Sequence, residues 1–123
     1  MGKKLFDQYT YLHFAMGVVM YYWGITFEQW ILIHVTFELF ENTEFGMHVI
    51  NKYFGGIWPG GKLQADSGLN MVGDTIGAAI GWLSAMYLDS LGEKMGWYSK
   101  HIKDDFKEKR GINKALSLVD YVL

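Results

Sequence analysis

An apolar run beginning near Thr26 closes on Phe37-Glu38-Leu39-Phe40-Glu41-Asn42, so two carboxyl groups stand where hydrocarbon is expected. On a helix, residues three and four apart share a face, which puts His34, Glu38 and Glu41 or Asn42 on one polar stripe down an apolar rod. Buried polar groups need partners. The flanking apolar segments offer them: His13 before the stripe, and Asp66, Asn70 and Asp74, themselves at i, i+4 and i+8, after it.

Three apolar segments are expected to form helices at about 9–25, 26–44 and 68–91, with a loop over 45–67. Tyr9 to Trp23 carries aromatics at both ends and His13 between them, the look of an interfacial belt around a span, although the run is short of about 20 residues unless its flanks are added. Gly24-Ile25 makes a tight link to Thr26, and Thr26 with Gln29 has the spacing of a capping box, so the first two helices form an antiparallel hairpin. Helix two continues as an amphipathic turn or two until Gly55-Gly56, and the only proline, Pro59, lies in the turn-rich loop that follows. Asp66 or Ser67 caps a third helix in which Gly73, Gly77 and Gly81 recur every fourth residue, a spacing that lets two helix backbones approach closely in lipid. That face can pack within the chain or against a second copy.

The fold class expected is therefore all-α: an integral membrane bundle of three transmembrane helices over residues 1–92. A charged tail over 93–123 ends in a short amphipathic helix. The tail holds Lys94, Lys100, Lys103, Asp104, Asp105, Lys107, Glu108, Lys109 and Arg110 and belongs in water. Its basic excess leans toward a cytoplasmic carboxyl terminus. No small-residue cleavage site follows the first apolar run, so no removable signal peptide is expected. Expected partners are the lipid bilayer and, through residues 93–123, other membrane or capsid proteins.

Composition excludes several classes. A net charge of −2 gives no basic field for a phosphate backbone, so nucleic acid is not an expected partner. With no cysteine there is no disulfide framework, thiolate nucleophile or Cys-type zinc site. The Gly55-Gly56 and Gly60-Gly61 pairs lack the spacing of a phosphate-binding loop, no cofactor box is present, and no cofactor is expected. His48 and His101 fall in amphipathic or charged segments and read as surface residues.

An up-down-up bundle brings the start of helix one, the end of helix two and the start of helix three to one side. His13, His34, Glu38, Glu41, Asn42, Asp66, Asn70 and Asp74 then converge. Intramembrane carboxyls pair, protonate or line a wet cavity. Two readings stay open: the cluster locks the helices together, or it is a ligand site. In the second, His13, His34 and the carboxylates hold a divalent metal, or an Asp/Glu pair with His13 moves protons.

FELFENTEFG, WPGGK and ADSGLNMVGDTIGAAIGW, in this order and spacing, resemble the polar blocks of VanZ-like membrane proteins and of a related uncharacterised bacterial membrane family. They look closer still to short proteins encoded by giant DNA viruses. The resemblance covers about residues 7–91. Mapped here, the family's polar positions are His13, Glu38, Glu41, Asn42, Asp66, Asn70 and Asp74. The viral likeness implies a non-enzymatic component of a virion internal membrane beneath a capsid. The VanZ likeness implies an envelope or lipid-headgroup enzyme using Glu38, Glu41 and Asp74.

Overall fold

The computed structural model describes residues 2–59 and 61–102. Asp7 starts helix α1 (Gln8–Tyr22) by accepting the N–H groups of Tyr9 (2.9 Å) and Thr10 (3.3 Å), while Thr10 Oγ1 accepts the Asp7 N–H. Gly24 takes a left-handed φ of 77°, which a side chain would resist, and turns the chain within four residues. The expected capping box of Thr26 and Gln29 then opens α2 (Phe27–Glu41). Thr43 caps the short α3 (Glu44–Val49), which runs into a π-helical turn over Ile50–Phe54. Ser67 supplies the cap of α4 (Gly68–Lys94).

The described chain is all-helical, and its helices run up, down and up. α1 packs lengthwise along α4 in parallel: Gly73 lies against Leu5, Gly77 against Thr10 and Gly81 against Phe14. A Cβ at Gly81 would sit 2.0 Å from the Phe14 carbonyl oxygen, so these glycines set how near the two backbones come. From the other helix Gly17 does the same, leaving space for the Ala78 carbonyl. α2 crosses antiparallel and is tied by two indoles, Trp30 Nε1 donating to Ala78 O and Trp82 Nε1 to Ile25 O, both at 2.9 Å. Tyr21, Trp30, Ala78, Trp82, Ala85 and Met86 form the apolar core at this end.

Only α4, among the described residues, is long and apolar enough to cross a membrane. α1 and α2 have 15 residues each, about 22 Å of helix against a hydrocarbon thickness of about 30 Å. Four helices are therefore present where three spans were expected: α3 and the π-helical turn fall in the stretch expected to be a loop over 45–67, started afresh by the Thr43 cap, and only α4 meets the length of a span. Tight capping at Asp7, Thr26 and Asn42 is what shortens the first two.

Residues 93–102, placed by the sequence in the solvated tail, turn back at Gly96 (φ 74°) onto the bundle. Buried Asp89 accepts the N–H groups of His101 (2.8 Å) and Ile102 (3.1 Å) and the Tyr21 hydroxyl (2.5 Å). His101 is exposed, as expected, but its Nε2 stands 2.9 Å from the Tyr22 carbonyl oxygen. The expected amphipathic helix near Ile112 lies outside the described residues.

Two outcomes follow from this packing. Gly81→Val forces α1 from α4 and should lower stability by about 1–3 kcal/mol in a detergent unfolding titration. Gly56→Ala, whose Cβ meets nothing within 4 Å, serves as the unaffected control. The second concerns Asp7: burial raises its pKa, but the N–H groups of Gly2, Tyr9 and Thr10 and the Asn70 amide outweigh that and hold it below the usual aspartate value. A depressed pKa stabilises the fold above the unfolded value, about 3.9, and the gain is lost as pH falls through the folded one. Acid unfolding followed by circular dichroism should lose this contribution in Asp7→Asn, which keeps a capping oxygen without the charge.

Candidate functional site

α1 contributes His13, α2 contributes His34 and Glu38, and α4 contributes Asp74 to one buried cluster. His13 Nε2 lies 3.3 Å from Glu38 Oε1 and 3.6 Å from Asp74 Oδ2, and His34 Nε2 lies 3.8 Å from the same Glu38 oxygen. The His13 and His34 rings meet edge to face at 4.9 Å. These four side chains are between 1% and 6% exposed. His34 Nε2 and Glu38 Oε1 nevertheless make no aligned hydrogen bond: the 3.3 Å approach of His13 is close without the direction of one.

The other oxygens of the carboxyls are held. Thr10 Oγ1 donates to Asp74 Oδ1 at 2.5 Å, and Asn42 Nδ2 lies 3.4 Å from Glu38 Oε2 while bonding the Glu38 carbonyl at 2.8 Å. Each cluster carboxyl thus turns one oxygen toward an anchor and the other toward the imidazoles.

A second layer sits where α2 ends. Lys62 reaches in from the loop, 3.0 Å from Glu41 Oε1, 3.4 Å from Asn42 Oδ1 and in contact with Asp66 Oδ2. Asn42 Oδ1 also accepts the Asp66 N–H at 2.6 Å. Burial pulls the Lys62 ammonium down, but Asp66 and Glu41 outweigh it and raise its pKa above the ordinary lysine value. Asn51 pins the loop by exchanging two hydrogen bonds with the Lys62 backbone. Lys62 thereby serves Glu41 and Asp66; among the described residues, no Lys or Arg pairs with Glu38 or Asp74.

Between the layers lies a partly open cavity of about 660 Å³, with His13, Glu41, Lys62, Asp66, Asn70 and Asp74 in its wall. All eight polar residues expected to converge are on this side of the bundle. Asn70 departs from the expected pairing: its amide donates to the Lys4 carbonyl at 2.8 Å and lies 3.3 Å from Asp7 Oδ2, so it ties down the amino-terminal segment. Sequence reasoning left out Thr10, which orients Asp74, and Lys62, the loop cation. It also left out Asp89, although Gly81, Ala85 and Asp89 share one face at i, i+4 and i+8.

No protein-family model, curated protein or solved structure matches this chain. What the cluster can do is read from its chemistry. Two imidazoles and two carboxyls within reach of a cavity can bind a cation, accept hydrogen bonds from a polar ligand or exchange protons.

Removing the loop cation should loosen this end of the molecule. Lys62→Met leaves Glu41 and Asp66 facing each other and should lower unfolding stability by about 2–3 kcal/mol, less than a wholly buried pair because the Lys62 side chain is 17% exposed. Combining it with Glu41→Gln and Asp66→Asn should restore most of the loss.

Proposed function

We propose that this chain is a small membrane-embedded helical protein that holds a polar group, the head group of a lipid, in the cavity between α1, α4 and the loop before α4. The observation that carries this reading is an inverted distribution of polarity. Among the described residues, as many polar or charged side chains as apolar ones are buried, eight of each, while Leu32, Leu39, Leu69, Val72, Ile76 and Ile80 are exposed. Leu69, Val72, Ile76 and Ile80 fall along one side of α4. In water such a surface invites association, whereas in lipid it sits at no penalty and the polar interior supplies the specific contacts.

Exposed Trp23 and Trp97 at one end, and Tyr53 at the other, suit the two interfaces. The short α1 and α2 fit a bilayer that thins locally beside a polar cavity. Integral membrane localisation follows from this proposal, and the binding role agrees with the non-enzymatic reading of the sequence. The virion scaffold role rests on the tail over 93–123, of which residues 103–123 lie outside the described residues.

A second reading, head-group chemistry as the VanZ resemblance implies, is favoured by one specific observation: the cavity wall pairs His13 with Asp74 at 3.6 Å, an arrangement suited to proton exchange with a bound group. Turnover of a phospholipid head group by purified protein, abolished in Asp74→Asn, separates catalysis from binding.

The absence of native cysteine makes the membrane reading directly measurable. Single cysteines at Leu32, Val72 and Ile80, spin-labelled in liposomes, should be relaxed by oxygen and shielded from a water-soluble nickel chelate. A label at Gln64 should show the reverse. Water access at all four positions, with the protein folded and monomeric without detergent, overturns the proposal.

A further inference from the structure

The inner cluster has a property that head-group binding alone does not explain. His34 Nε2 and Glu38 Oε1 belong to side chains 2% and 1% exposed, point at the same spot, and have no hydrogen-bond partner there. Buried polar atoms are almost always satisfied, and an unpaired one carries a desolvation penalty. One ring nitrogen of each histidine and a Glu38 oxygen all lie within 4.8 Å of one another.

We propose that His13, His34 and Glu38, with Asp74 beside His13, form a binding site for a divalent transition-metal ion of the zinc, manganese or iron(II) class. The separations fit. Metal bonds of about 2.0–2.1 Å in a tetrahedral site place neighbouring ligand atoms about 3.3–3.4 Å apart. Here they stand at 3.3 Å (His13–Glu38), 3.6 Å (His13–Asp74) and 3.8 Å (His34–Glu38).

The donor set decides the class of ion. Calcium and magnesium take all-oxygen shells, whereas imidazole with carboxylate selects transition metals. Soft thiophilic ions find no thiolate, because the chain has no cysteine.

The supporting shell is also that of a metal site. Thr10 holds the far oxygen of Asp74, and Asn42 lies against the far oxygen of Glu38, leaving the near oxygens directed at the histidines. Asp66 forms an alternative acidic group with Glu38 and Asp74, but its contact with Lys62 assigns it to the outer layer. A divalent ion brings to Glu38 and Asp74 the positive charge that Lys62 brings to Glu41 and Asp66. Since His13 and Asp74 are in the cavity wall, the site opens on the proposed head-group cavity, where a ligand oxygen or water can complete the coordination.

This inference deepens the cavity reading, and its test is independent of the membrane. The full-length protein, purified in detergent and stripped with a chelator, is titrated with Co²⁺. The expected result is one ion per chain, visible d–d bands of a four- or five-coordinate site without thiolate charge transfer, and displacement by Zn²⁺. The His48→Ala/His101→Ala double variant should bind as the wild type does. His34→Phe, which keeps a ring in place, should weaken Co²⁺ by about a hundredfold or more.

Absence of stoichiometric Co²⁺ or Zn²⁺ binding by the folded wild-type protein overturns the metal site, as does binding that survives His34→Phe or disappears in the surface double variant. If metal binding fails while the spin labels still report lipid, the cavity reading stands without a metal. Metal binding with labels exposed to water leaves the ion and removes the membrane.

Discussion

Glu38 is 1% exposed in the middle of a three-helix contact, and the arrangement around it is built to make that burial tolerable. A carboxyl removed from water requires polar neighbours, and its own helix supplies only His34 and the capping Asn42. His13 must come from α1, and Asp74 approaches beside it from α4. The register of all three helices is therefore tied to one side chain. A shift of α1 by a single residue would rotate His13 about 100° away and take from the carboxyl its neighbour on that helix.

Close approach of α1 and α4 makes the cluster attainable. Glycines at 17, 73, 77 and 81 remove the side chains that would keep the backbones apart. The Trp30 indole then reaches the Ala78 carbonyl. At the opposite end Asp89 repeats the strategy with a different outcome: its partners are the Tyr21 hydroxyl and two backbone N–H groups, so every contact is a directed hydrogen bond. One buried acid is fully engaged and the other has an oxygen without an aligned donor. The contrast sets the Glu38 end, where the site is proposed, apart from the Asp89 end, which is a clasp.

The division of labour among the carboxyls follows from Lys62. By occupying Glu41 and Asp66 it splits an eight-residue polar collection into a charge-compensated outer layer and an inner layer rich in metal-ligating atoms. The cavity lies where the two meet. Binding at this point would be felt by α1, α2, α4 and the loop together.

Periodicity and capping patterns in the sequence determined the helices, their up-down-up order and the side on which the polar residues meet. They do so because a stripe at i, i+4 and i+8 has one face, and short links leave one direction of return. Thr26 with Gln29 marked the start of α2 for the same local reason. Tertiary structure alone decided the pairings. Asn70 turned to Lys4 and Asp7, Lys62 entered from a loop, and Asp89 captured residues 101 and 102, each through a contact between residues far apart in the chain. Local pattern says nothing about which of several polar groups on one side lie within 3–4 Å of each other. That depends on how closely the glycine faces allow the backbones to pack.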